Sequence, residues 1–266
     1  MIVLAVSAGV SLAMMLAWAV QRRTGNAGWV DVIWTFALGG AGVVYALAGV
    51  LPGAWEGNPG GKRAWLAAAL AAAWALRLGG YILRRTSHGT EDARYARLRA
   101  EWGEGFQRRM FGFLQIQAAA AALLALAMLL AARNPAPLGI GDAAGVVMFL
   151  IAILGGHAAD EQLLRFRREP SHRGQVCATG LWRWSRHPNY FFEFLAWCAW
   201  PLLAISPAYP LGWLALAAPA LMYWLLVHVS GIPPLEDAML RSRGDAYRAY
   251  QARTRPFLPL PKWSPK

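Results

Sequence analysis

The chain has 266 residues, of which 57% are hydrophobic and 15% charged, and it carries a net charge of +12. So little charge argues against a soluble domain, and the apolar residues gather into runs of about 20, enough to cross a hydrocarbon core of about 30 Å. Most of the chain is consumed by such runs, which predicts an all-α polytopic membrane protein whose backbone groups are satisfied within helices.

In chain order, the pattern predicts helices over 2–20, 28–51, 64–84, 112–132, 142–166, 189–206 and 211–230. The first lacks a basic leading segment and a cleavage site, so it reads as a retained helix rather than a signal peptide. Turn residues punctuate the rest: Gly25–Asn26, Pro52–Gly53, Pro59–Gly60–Gly61, Asn134–Pro135 with Pro137, and Ser206–Pro207 with Pro210. An outward amino terminus and a cytoplasmic carboxyl terminus leave 22 of the 26 basic residues inside, with Lys62, Arg63 and Arg133 outside and Arg77 within a span. This is the bias that the positive-inside rule expects of seven spans.

The same bias, with attraction to anionic lipid, accounts for the net charge. No groove-reading motif points to nucleic acid, and no obligate protein partner is expected. Cys177 and Cys198 read as unpaired, and no Cys/His cluster has the spacing of a metal site, so no metal is expected.

Ionisable residues within apolar helices are costly, and they mark functional positions. Asp31 lies one turn inside the second helix between Trp29 and Trp34. It reads either as a carboxylate at the positive end of a helix or as a buried acid able to protonate a carbonyl. Arg77, Tyr81 and Arg84–Arg85 recur on one helical face, and Arg77 is deep enough to need a carboxylate or a ligand phosphate.

His157, Asp160, Leu164 and Arg167 share a face that Pro170 ends, with Arg173 just beyond. Either a network of surface ion pairs or a phosphate-reading face fits this pattern. The densest stretch is Arg186-His187-Pro188-Asn189-Tyr190, followed by Glu193. Pro188 suits a first helical turn, so basic side chains collect beside helix-terminal N–H groups. An aromatic belt explains Trp182 and Trp184 but not this run. Glu236–Asp237, Tyr247, Tyr250 and Arg253 lie on a basic, aromatic tail helix that either closes a pocket or lies on a surface.

Ala159-Asp160, Arg165-Phe166-Arg167, Arg173-Gly174, Thr179-Gly180-Leu181-Trp182 and Ser185-Arg186-His187-Pro188-Asn189-Tyr190 together resemble the bacterial branch of the steroid 5-alpha-reductase family. Trp29-Val30-Asp31-Val32-Ile33-Trp34, Trp74-Ala75-Leu76-Arg77-Leu78 and Asp92-Ala93-Arg94-Tyr95 are similar to it as well. The resemblance implies one integral membrane reductase domain, with substrate-side helices over 1–111 and a cofactor-binding part over 112–266. It also implies NADPH as cofactor, an enone lipid such as a 3-oxo-Δ4-steroid as substrate, and a bacterial inner-membrane location with the cofactor site facing the cytoplasm.

By position, Asp160, Arg167, Asn189 and Glu193 resemble the family's cofactor contacts. Arg77 and Tyr95 are similar to further contacts, and Arg173, Arg186, His187, Tyr190 and Tyr250 are their neighbours. The steroid-reductase branch holds the substrate ketone with a Gln-Glu pair and a Tyr. Here Asp31 is the nearest acid and Trp74 stands in the Tyr place, so Asp31 and Tyr81 are the catalytic candidates. An alternative resemblance is to isoprenylcysteine and phospholipid methyltransferases, which carry an Arg-His-Pro-x-Tyr motif that serves S-adenosylmethionine.

Overall fold

The computed structural model describes residues 1–50, 61–89 and 91–262, and among these the protein is helical, with no strand. Helices α1 (Ile2–Thr24), α2 (Gly28–Leu47), α3 (Gly61–Ser87), α4 (Ala93–Trp102), α5 (Phe106–Ala132) and α6 (Ile140–Arg168) are followed by α7 (Pro188–Ala204), α8 (Ala217–Trp224) and α9 (Ile232–Arg253). Among the described residues, six helical stretches are long and apolar enough to cross a membrane: Ile2–Thr24, Gly28–Leu47, Gly61–Ser87, Arg94–Ala132, Ile140–Arg168 and Pro210–Arg253. The protein is thus an integral membrane protein by its helices. The remaining predicted span, 189–206, corresponds to α7, which has 17 residues.

Local chemistry sets the helix ends. Gly25, at φ 69°, closes α1 by donating its N–H to the Gln21 carbonyl at 2.9 Å, a left-handed cap that glycine adopts without strain. The predicted second helix stops at Leu47 rather than 51, and Pro52–Gly53 and Pro59–Gly60 lie outside the described residues. The basic loop before α5 contains a helix that hydropathy did not show. Its N-cap, Asp92, accepts from the Arg94 backbone N–H at 3.0 Å. The predicted span 211–230 begins as a 3-10 helix over Pro210–Leu216, continues as α8 and ends in a π turn over Leu225–Val229.

The chain forms two compact units, Met1–Gly145 with Trp200–Ala218, and Val146–Ala199 with Pro219–Lys266. In the first unit, α1, α2, α3 and α5 pack through small residues. A Cβ on Gly39 would lie 2.2 Å from the Ala75 Cβ, and one on Gly42 2.1 Å from the Met128 sulfur. Ala64, Ala67, Ala71 and Ala75 line the buried face of α3, Ala118, Ala121 and Ala125 that of α5. With little hydrophobic drive between helices in lipid, such close approach supplies the packing energy. Leu4, Leu12, Leu16, Leu76 and Ile116 instead point outward, each more than half exposed.

Arg63, placed by the charge pattern on the outer side, is buried. It is 3% exposed, and its guanidinium donates to Asp142 Oδ1 and Oδ2, at 2.7 Å each. It also donates to the carbonyls of Asn134, Ala136 and Pro137. The head of α3 is thereby fastened to the α5–α6 connection and the start of α6. A guanidinium buried this way is tolerated because its donors meet a carboxylate and three carbonyls.

Candidate functional site

Two polar clusters carry most of the predicted site residues, one in each unit. In the first unit, α2 brings Asp31 up to the start of α4. The Tyr95 hydroxyl donates to Asp31 Oδ1 at 2.7 Å, and Arg94 donates to Oδ2 at 2.6 Å. Arg94 also reaches Asp92 Oδ1 at 3.0 Å, and Arg85 donates to Asp92 Oδ2 at 3.2 Å. Tyr95 is 3% exposed. Burial raises the Asp92 carboxyl, but Arg94 and Arg85 outweigh it and hold the group down to about 2.

Asp31, which the sequence left either as a helix-start carboxylate or as a buried acid, accepts from two donors. With its two oxygens engaged, it positions a phenol and a guanidinium. Arg94 was the missed member. The signal was present in Asp92-Ala93-Arg94-Tyr95, where the resemblance drew notice only to the tyrosine. Arg77 and Tyr81 are half-buried on α3, Arg84 is exposed, and Trp74 is buried on the same helix.

In the second unit, the Arg-His-Pro-Asn-Tyr run enters α7 through Pro188, its first helical residue. Ahead of it, Gly180 sits at φ 57°, and a Cβ there would lie 2.5 Å from Gln162 Oε1. That amide oxygen accepts the Leu181 N–H at 2.9 Å. Trp182 donates its indole N–H to the Ala159 carbonyl at 3.0 Å. These bonds hold the turn against α6, and Asn189 comes within reach of Asp160, donating Nδ2 to Oδ1 at 3.3 Å. Asp160 is 3% exposed. One turn along α7, Glu193 Oε1 accepts the Trp197 indole N–H at 2.9 Å.

Arg186 is turned the other way. Its guanidinium donates to Glu236 Oε1 at 2.6 Å and Oε2 at 3.1 Å, and to the carbonyls of Thr254 and Gln251. Its backbone N–H donates to Arg255 O at 2.9 Å. Tyr250 donates its hydroxyl to the Trp182 carbonyl, and Ser185 to the Phe257 carbonyl at 2.8 Å. Arg186 and Tyr250 were both expected among the cofactor residues. Arg186 spends its donors on Glu236 and the chain's last segment, and Tyr250 spends its hydroxyl on the Trp182 carbonyl ahead of α7. Glu236, the anchor of Arg186, was visible only as half of an acidic pair on the tail.

His187 is 2% exposed and stacks on Tyr190 at 5.5 Å between ring centroids. Its Nε2 lies 3.1 Å from Glu236 Oε1. A carboxylate can only accept, so Nε2 carries the proton and Nδ1 offers a lone pair. That Nδ1 is buried with no partner among the described residues. Burial lowers the imidazole's pKa, against the pull of Glu236. Arg167 and Arg173 are exposed at and beyond the end of α6, whereas His157, predicted to share the Asp160 face, is exposed and Asp160 is not.

Comparison with known proteins agrees with a family of membrane helices but names no activity. The family described as "Protein of unknown function (DUF1295)" matches residues 17–254. An uncharacterised protein of Schizosaccharomyces pombe is 28% identical over 273 residues, covering 91% of this chain and 75% of the yeast protein. No solved structure matches.

Proposed function

Because this chain belongs to the DUF1295 family, which is related to steroid 5-alpha-reductase-like membrane proteins, we propose that it is an NADPH-dependent membrane reductase. Its reaction is reduction of the C=C bond of an enone lipid, in the first instance the Δ4 bond of a 3-oxo-steroid. The observation that carries this reading is the Asp160–Asn189 hydrogen bond, which joins two motif positions 29 residues apart in sequence.

The residues fit a dinucleotide. The orphaned Nδ1 of His187 calls for a donor, which a ribose hydroxyl or a carboxamide N–H supplies. Asp160, Asn189 and Glu193 offer further acceptors and an amide, and Arg167 and Arg173 are the guanidinium groups open to phosphate oxygens. Arg186 and Tyr250 belong to the support beneath them. When bound, NADPH supplies a hydride to the β-carbon of the enone, and charge then grows on the ketone oxygen.

Such an oxygen needs a hydrogen-bond donor. Within the first unit, the Tyr95 hydroxyl is a donor of that kind, and the Asp31 it bonds at 2.7 Å is also held by Arg94 at 2.6 Å. The α-carbon takes its proton from solvent.

We further propose seven spans with the amino terminus outside and the cofactor side cytoplasmic, in a bacterial inner membrane. The 17 residues of α7 rise roughly 25 Å at 1.5 Å per residue, close to a bilayer core.

A second reading is favoured by one observation. Arg186 is bound to Glu236, which leaves the Arg-His-Pro-Asn-Tyr motif poorer in phosphate-directed charge and suits a cofactor without phosphates, S-adenosylmethionine. The test is thermal stabilisation of the purified protein by each cofactor, with NADPH oxidation on a 3-oxo-Δ4-steroid. Stabilisation by NADPH that is lost in Asn189→Ala supports the reductase. Stabilisation by S-adenosylmethionine alone refutes it and establishes methyl transfer.

A further inference from the structure

The second unit has a groove of about 650 Å³ away from the Asp160–Asn189 pair, lined by Thr179, Arg183, Trp184, Arg253 and Lys262 among others. Its charge is of one sign. Three cations line it, and no lining residue is acidic. Among the described residues, Arg183 and Arg253 are exposed and form no ion pair, Arg183 lying over the Trp184 ring at 5.4 Å. Lys262 donates to the Gln251 carbonyl at 3.0 Å. Cations held together without a counter-carboxylate repel one another, and an anion between them relieves that repulsion.

The segment that leads to Lys262 is apolar and exposed. Trp184 in the lining is 39% exposed, and Leu258 and Leu260, four and two residues before Lys262, are 46% and 53% exposed. These side chains have a fixed place. Ser185 and Arg255 form a parallel bridge, and the Ser185 hydroxyl holds the Phe257 carbonyl. Tryptophan, leucine and basic side chains side by side are the composition of a membrane–water boundary, where indoles sit among headgroups and cations meet anionic lipid. A soluble phosphate would use the cations but leave the leucines in water.

We propose that this groove is a binding site for an anionic phospholipid, with the headgroup phosphate between Arg183, Arg253 and Lys262 and the acyl chains against Trp184, Leu258 and Leu260. The site is independent of the reductase reading, since none of these residues is among the proposed cofactor or substrate contacts.

The test uses the full chain in a neutral detergent, titrated with short-chain phosphatidylglycerol, short-chain phosphatidylcholine or inorganic phosphate. Melting temperature and native mass spectrometry are the readouts. Phosphatidylglycerol should half-saturate at a concentration roughly tenfold or more below that of phosphatidylcholine, with one molecule retained per chain. The triple variant Arg183→Gln/Arg253→Gln/Lys262→Gln should lose this preference, and Arg253→Gln alone should weaken it should the triple variant fail to fold. Arg22→Gln/Arg23→Gln, at the exposed end of α1, should keep it.

Equal response to the two lipids, or an unchanged preference in the groove variants, overturns the proposal. So does an equal loss in the α1 variant, which would mean diffuse attraction to a basic surface. Stabilisation by inorganic phosphate equal to that by phosphatidylglycerol overturns it in favour of a soluble anion.

Discussion

Arg186 grips Glu236 side-on through its Nε and Nη2 N–H groups, at 2.6 and 3.1 Å, across 50 residues of sequence. The same carboxylate accepts from His187 at 3.1 Å and from the Gln251 amide at 2.8 Å. One acidic residue thus organises the motif that precedes α7.

Replacing Glu236 with alanine strands a guanidinium whose side chain is 9% exposed. Removing one partner of a buried pair costs about 3–5 kcal/mol. Melting of the purified Glu236→Ala variant should show that loss, and Gln251→Ala a much smaller one. Equal stability of Glu236→Ala and the parent would mean that the pair holds nothing.

His187 should make stability depend on mild acid. Burial depresses its folded-state pKa below the ordinary 6.5, so in mild acid the unfolded chain binds a proton that the folded chain refuses. The contribution is complete above 6.5 and is lost as pH falls towards the folded value. Melting temperature should therefore fall between pH 7 and 5, less steeply in His187→Asn. The same slope in that variant would remove the histidine from the account.

Asp92 makes its contribution in stronger acid. Its carboxyl, lowered to about 2 from 3.8, stabilises the fold fully above the unfolded value and loses that effect as pH falls through 2. Asp92→Asn should cost about 2 kcal/mol at neutral pH. The gap to the parent should close as the solution is acidified below pH 4. A gap that stays constant with pH would point to lost hydrogen bonds rather than lost charge.

Arg63→Ala should be among the most damaging changes in the first unit. It leaves Asp142 buried, with a side chain only 10% exposed, beside three unsatisfied carbonyls. The expected cost is again about 3–5 kcal/mol. Arg63→Ala/Asp142→Ala should recover part of it, a coupling that a double-mutant cycle in detergent reads directly. Strict additivity would dissolve the pair.

For the reaction, Tyr95→Phe removes the hydroxyl next to Asp31 and should lower kcat for NADPH oxidation with a 3-oxo-Δ4-steroid by roughly 10²-fold or more. NADPH-induced stabilisation should stay intact. Full activity in Tyr95→Phe would take the phenol out of the chemistry, and Tyr81→Phe would then be the informative variant.

The helices were legible in the sequence because lipid leaves few options: runs of apolar residues, broken by Gly25 or opened by Pro188, admit little else. The candidate site was legible as a roster of residues more than as an arrangement. Asp160 and Asn189 were expected together and do meet. The Arg63–Asp142 pair was not legible because the two lie 79 residues apart, and no periodicity carries that distance. Arg186 was placed beside the cofactor contacts because a run of basic residues ahead of a helix looks alike whichever way the side chain turns. Only Glu236 decides the direction, and nothing local links the two. Helix α4 escaped hydropathy because it is polar, although the Asp92 cap was there to be read.

The 50-residue interval between Arg186 and Glu236 also has a meaning in time. At 5–20 residues per second, a ribosome takes roughly 3–10 s to follow the arginine with its acid. Until α9 is made, the Arg186 guanidinium has water in place of its carboxylate, so the second unit is completed late.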